Sequence, residues 1–154
     1  MENNKSLIEK FYTSFAAGDA EGMVSCYHDD IEFEDPAFGP LKGEDPKKMW
    51  RMLLKNNKGN MKITFSNVHA EGDTGGADWV AEYTFSQTGR HVVNRVSATF
   101  VFKDGKIIKH TDRFNAWKWA SQALGTSGKL LGWSSFMKNK IRQRTKNLLA
   151  NYKG

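Results

Sequence analysis

Apolar residues at Leu7, Phe11 and Phe15 recur at helical spacing, and Ser6-Leu7-Ile8-Glu9 ahead of them has the serine and glutamate of a capping box. The stripe stops at Gly18, which closes a first helix. Asp19 predicts the cap of a second, shorter helix reaching about His28 and turning Met23, Cys26 and Tyr27 inward, until Asp29 and Asp30 break the pattern. The period then changes to two. Ile31, Phe33 and Asp35 share one face of a short strand, Glu32 and Glu34 share the other, and Pro36 ends it. An acid therefore occupies an inward position. After a Gly/Pro-rich loop, Asp45 and Pro46 predict a helix start, with Met49, Trp50, Leu53 and Leu54 as its buried stripe and Asn56 to Asn60 as its close. From Met61 to Phe114 the pattern reads as strands: Met61 to Ala70, Ala77 to Gln87, His91 to Phe102 and Lys106 to Phe114, joined by glycine-containing turns. Short turns between successive strands imply antiparallel pairing. Helices first and a meander afterwards define an α+β class, with N-terminal helices covering one face of a curved, mostly antiparallel sheet.

Beyond Phe114 the pattern becomes irregular. Trp117, Trp119, Leu124, Leu130, Leu131, Trp133 and Phe136 punctuate glycine-containing segments, and a basic helix is expected from Ser134 to Tyr152. Charge follows the same division. The segment after Asn115 carries eight Lys or Arg and no acid, so of the net +6 about −2 remains on the first 115 residues. A near-neutral body with a basic appendage does not have the uniformly basic surface of a nucleic-acid-binding domain, and no nucleic acid is expected as partner. The expected division is a domain over 1–115 and a basic helical extension over 116–154 packed on it. Lys138, Lys140, Arg142, Arg144 and Lys146 fit a solvated helix face whose apolar side, including Leu148 and Leu149, docks on the body or on a dimer partner. That reading is favoured over contact with an anionic membrane. The length of 154 residues, 39% apolar content and 12% aromatic content suit one globular core. No apolar run approaches a membrane span, and the polar stretch Met1 to Lys10 lacks the pattern of a secretory signal, which makes the cytoplasm the expected location.

The run Tyr27-His28-Asp29-Asp30-Ile31-Glu32-Phe33-Glu34-Asp35-Pro36, between Gly18-Asp19 and Gly39-Pro40 with Gly43, resembles the ketosteroid-isomerase and SnoaL-like polyketide-cyclase branch of the nuclear-transport-factor-2-like superfamily. The order of elements agrees with that branch through Phe114, roughly three quarters of the chain. The resemblance implies a cone-shaped sheet closed by helices around an apolar hollow, a small hydrophobic ligand, and homodimerisation through the outer sheet face. It also implies that Asp35, before its proline, occupies the place of a base that moves a proton beside a carbonyl. The two oxyanion donors of ketosteroid isomerases do not carry over. Phe11 stands at the place of the helix-one tyrosine, with Tyr12 one residue off and so about 100° around the helix, and Ala98 stands where the strand acid is expected.

The last strand offers a second constellation. Ile108, His110, Asp112 and Phe114 alternate with Lys109, Thr111 and Arg113, which puts an imidazole and a carboxylate on the apolar face, roughly 7 Å apart along the strand. A late-strand acid is also what the resemblance to SnoaL-like cyclases implies for Asp112. Asp35, His110 and Asp112 are therefore the candidate catalytic residues, and Phe15, Phe33, Trp50, Tyr83, Asn94 and Phe114 the candidate ligand-lining ones. A carboxylate among such rings is poorly solvated, which favours its protonated form and makes it a stronger base. Two other readings stay open: Asp35 as a turn residue accepting backbone hydrogen bonds, and His110 with Asp112 as a structural pair. The expected function is an enzyme of isomerase, cyclase, dehydratase or hydrolase type, with a noncatalytic ligand-binding module as the alternative. His28, His69 and His91 lack metal-ligand spacing, Cys26 reads as helix packing, and neither a metal nor a cofactor is expected.

Overall fold

The computed structural model describes residues 2–57, 59–85 and 88–125, together with 143, 146, 147, 149 and 150 of the C-terminal stretch. Most of the expected basic helix, with Trp133 and Phe136, lies outside the described residues. Helix α1 spans Glu2–Ala16. It starts four residues ahead of Ser6, so the predicted capping box lies inside the first turns, with Ser6 and Glu9 exposed, rather than at the helix start. Its buried stripe is Ile8, Phe11, Tyr12 and Phe15, wider than the Leu7-Phe11-Phe15 line, and Leu7 lies only partly buried at its flank. Helix α2 is a single turn, Ala20–Val24, with the Asp19 carboxylate accepting the Gly22 N–H at 3.0 Å.

The second helix ends well short of His28 because the sheet takes the chain there. The Cys26 carbonyl accepts from Ile107 N–H, and Tyr27 pairs with Ile107 as the first residue of β1, Tyr27–Asp35. The loop after Pro36 contains a short strand that its glycine and proline concealed, β2, Gly39–Lys42, antiparallel to β1. Helix α3, Glu44–Asn56, starts after Gly43 rather than at Asp45. Gly43 has φ +68°, a conformation glycine adopts without a Cβ penalty, and its N–H donates to Ile31 O at 2.9 Å. Pro46 still falls in the first turn, where its missing N–H has no intrahelical acceptor to lose.

Strands β3 (Met61–Glu71), β4 (Thr74–Phe85), β5 (Arg90–Lys103) and β6 (Lys106–Arg113) form the meander. The single six-stranded sheet has the order β2-β1-β6-β5-β4-β3, and all its pairs are antiparallel except β1 with β6. That parallel pair brings the N-terminal strand beside the last one, with Phe33 opposite His110. A register shift in the β5–β6 pair at Val101/Phe102 gives the inward place to Ile107 instead of Ile108. Parity is restored by His110 and Asp112. The core lies between the inner sheet face and α1 and α3, and is built largely from Phe11, Tyr12, Phe33, Met49, Trp50, Trp79 and Phe100.

Strand β6 stops opposite Ser97, so the first half of β5 has no strand on that side. Helix α4, Ala116–Leu124, capped by Asn115 Oδ1 accepting from Lys118 N–H, lies there instead. The Gln122 amide reproduces a strand's bonding: its Oε1 accepts from Val93 N–H at 2.8 Å and its Nε2 donates to Val93 O at 3.1 Å. Arg90 Nε donates to Gln122 O at 2.7 Å, satisfying a carbonyl of the last turn that has no intrahelical donor. Leu149, in the described part of the extension, is buried with the core.

Candidate functional site

Inward parity at the end of β6 buries a continuous polar chain in an otherwise apolar core. Trp50 Nε1–H, from α3, donates to the Tyr27 hydroxyl at 2.8 Å. That hydroxyl lies 2.7 Å from His110 Nδ1, and His110 Nε2 lies 2.8 Å from Asp112 Oδ1. Trp79 Nε1–H, from β4, donates to the same Oδ1 at 3.3 Å. His110 has no exposed surface and Asp112 only 3%. Five aromatic rings box the imidazole, with Phe100 at 4.5 Å, Phe33 at 5.0 Å, Phe11 at 5.5 Å, Tyr27 at 6.1 Å and Trp50 at 6.4 Å between centroids. Both hydrogen bonds to Asp112 land on Oδ1, which leaves Oδ2 unengaged among the described residues.

A second unengaged polar atom belongs to the same region. The Tyr12 hydroxyl is fully buried and has no hydrogen-bond partner. Its ring stacks on Phe65 and leans on Trp79 and Phe100, and among charged groups Asp112 acts on it most strongly. Burial, followed by the Asp112 charge, holds the Tyr12 phenol well above its ordinary value. Burial likewise raises Tyr27, against the opposing hydrogen bond from Trp50, with Asp112 and Asp35 adding to the rise. Both phenols therefore remain protonated donors throughout the neutral range.

These phenols set an alkaline limit on stability. Above about pH 10 the unfolded chain ionises its tyrosines while the folded chain keeps Tyr12 and Tyr27 protonated, so the folded state binds more protons and stability falls as pH rises. The contribution is fully present below the unfolded value and declines by about 1.4 kcal/mol per pH unit for each phenol until the folded value is reached. Urea titrations at pH 9, 10 and 11 should show this decline. In Tyr12→Phe the slope should be shallower by one phenol's share, and an unchanged slope would contradict the assignment.

Sequence reasoning placed His110 and Asp112 together, and in the structure they are hydrogen-bonded to each other. Asp35 sits apart. It is only partly buried, and its Oδ1 accepts the N–H groups of Ala37 at 2.9 Å and Phe38 at 2.6 Å, the turn geometry its position before Pro36 suggested. Phe33 and Trp50 lie against His110, and Phe15 packs on Trp50 and Trp79 at about 5 Å. Tyr83, Asn94 and Phe114 are half-buried further along the inner face, with the Tyr83 hydroxyl accepting from Trp119 Nε1–H at 2.8 Å. Tyr12, Tyr27 and Trp79 were not singled out as site residues from the sequence. A signal for Tyr12 existed: with Ile8 and Phe15 it completes the i, i+4, i+7 face of the first helix. Ala98, where an acid was expected, is the direct cross-strand partner of Asp112, so a carboxylate occupies the same level one strand over. Among the described residues no group of three His, Cys, Asp or Glu side chains is placed to hold a metal, and no helix is long and apolar enough to cross a membrane.

Comparison with known proteins agrees with the fold. The profile of the SnoaL-like domain matches residues 8–110. Among solved structures, a candidate polyketide cyclase from Xanthomonas campestris pv. campestris superimposes with a TM-score of 0.64 at 20% identity, covering 79% of this chain and 96% of that one. TerC, crystallised with polyporic acid, gives 0.62 at 23% identity over 73% and 91%. An LEH-like epoxide hydrolase of M. tuberculosis gives 0.61 at 17% identity over 84% and 94%. Likenesses at these identities establish the shared fold. No curated protein matches the chain.

Proposed function

Since this chain belongs to the SnoaL-like domain family, we propose that it is an acid–base enzyme acting without a cofactor on a small, largely apolar carbonyl compound. The observation that carries this reading is the Tyr12 hydroxyl, fully buried and without a hydrogen-bond partner, within electrostatic reach of Asp112, whose two hydrogen bonds both fall on Oδ1. An orphan buried hydroxyl costs about 1–3 kcal/mol. Both groups would be satisfied by a ligand oxygen that accepts from Tyr12 and a hydrogen that Asp112 can take. In this scheme Asp112 removes a proton from the carbon beside the carbonyl. The C–H electron pair moves into the carbonyl to give an enolate, whose oxygen is held by Tyr12 O–H. Where a β,γ double bond extends the enolate, the proton returns from Asp112 to the γ-carbon as the carbonyl re-forms, and the net change is a double-bond shift. Where the enolate carbon instead attacks a second carbonyl of the same molecule, the proton goes to the new alkoxide oxygen, and the net change is a ring closure. Asp35 takes no part in the transfer and adds negative field at Tyr27 from its turn.

Solvent deuterium exchange tests the proposal without knowledge of the natural substrate. Aromatic and alicyclic ketones incubated with the protein in D2O should gain deuterium at the α-carbon by mass spectrometry. Asp112→Asn, which keeps the shape but cannot accept the proton, should lose about 10²–10⁴-fold of that rate. Tight binding of a ketone with no exchange would favour the second reading, a noncatalytic ligand-binding module. That reading draws support from His110, whose two ring nitrogens are both already bonded within the protein.

A further inference from the structure

The polar chain has a direction that the positions of its atoms dictate. An indole N–H only donates, so at the Trp50 end the Tyr27 oxygen is the acceptor. The Tyr27 hydrogen then needs an acceptor of its own, and the atom 2.7 Å away is His110 Nδ1. With Nδ1 accepting, the imidazole hydrogen is on Nε2, which faces Asp112 Oδ1 at 2.8 Å. At the far end, Trp79 Nε1–H meets the same oxygen, again as a donor only, so Asp112 Oδ1 must accept from both sides. Reversing any link fails. A hydrogen on Nδ1 would have to be accepted by the Tyr27 oxygen, and the Tyr27 hydrogen would be left without an acceptor in a buried place. A hydrogen on Asp112 Oδ1 would need Nε2 as its acceptor, which returns the imidazole hydrogen to Nδ1 and again leaves the Tyr27 hydrogen without an acceptor.

We propose that Trp50 and Tyr27 are positioning residues that hold His110 as its Nε2–H tautomer and so keep Asp112 an acceptor with Oδ2 turned free. Both act on Asp112 through His110. The proposal extends the reading of Asp112 as the base, yet it concerns the resting protein, and its test needs no turnover.

The experiment is 15N NMR of the full-length protein with labelled histidine. The chain has four histidines, at 28, 69, 91 and 110, and the His110 signals are those absent from His110→Gln. The expected wild-type spectrum at neutral pH shows Nδ1 as an unprotonated, hydrogen-bond-accepting nitrogen and Nε2 as protonated. In Tyr27→Phe the Nδ1 signal should move to the position of a nitrogen without a hydrogen bond, and in Trp50→Phe it should broaden as the Tyr27 hydroxyl gains freedom to turn. A wild-type Nδ1–H tautomer or a doubly protonated ring would overturn the proposal, and so would an unchanged Nδ1 signal in Tyr27→Phe. The wild-type measurement decides the tautomer even if a variant does not fold. Correct tautomers with no deuterium exchange in D2O would uphold the positioning and remove the catalytic reading.

Discussion

Tyr12→Phe is expected to lower the deuterium-exchange rate by about 10²–10³-fold, the loss that follows removal of one donor to a developing oxyanion, while leaving the melting temperature unchanged or raised. The two halves of this result belong together. The Tyr12 hydroxyl has no partner and no exposed surface, so in the empty protein it contributes a desolvation cost and no bond. Phenylalanine keeps the ring that stacks on Phe65 and packs on Trp79. A structural tyrosine would behave in the opposite way, losing stability and leaving rate alone. Differential scanning calorimetry beside the exchange assay separates the two, and a clear fall in melting temperature with an unchanged rate would remove Tyr12 from the site.

His110→Leu should produce the largest loss of stability, about 3–5 kcal/mol, equivalent to a fall of roughly 10 °C in melting temperature. Leucine fills much of the same volume within the ring box, so the cost is electrostatic rather than steric. It deprives the Tyr27 hydrogen of its acceptor and the Asp112 carboxylate of one of its two donors at the same time. Adding Asp112→Leu should recover part of the loss, because replacing both members of a buried polar pair by apolar groups removes the unpaired charge. Chemical denaturation of the wild type, both single variants and the double gives the coupling directly. Additive losses would mean that the 2.8 Å contact carries no energy in solution.

The fold was legible because its signals are local and repetitive. The change from helical to alternating period near Ile31, and the glycine turns between the later strands, survive without tertiary information. The misplaced boundaries share a cause. Met23, Cys26 and Tyr27 keep helical spacing and predict a second helix to about His28, but the parallel pairing with Ile107, eighty residues distant, claims that tyrosine for the sheet. β2 was hidden by Gly39 and Pro40, which read as a loop until an edge position against β1 gives them a ladder. His110 and Asp112 were found because strand parity has only two outcomes, and the register shift at Val101/Phe102 reversed it at Ile107 without carrying through to the pair. Tyr12, Tyr27 and Trp79 were out of reach for another reason. Their roles depend on which hydroxyl or indole N–H meets which atom across three or four elements, and that depends on packing rather than pattern.

Gln122 has a consequence for how much of the chain this domain needs. A single side-chain amide bonds both backbone groups of Val93 on the edge of β5 that β6 leaves uncovered. Shortening the chain after Asn115 would bare that backbone and present Val93 and its neighbours as a template on which strands from other molecules can add. The extension therefore does double duty as a guard against self-assembly into aggregates, and a truncated form would pay for its smaller size in solubility before it lost any residue of the buried polar chain.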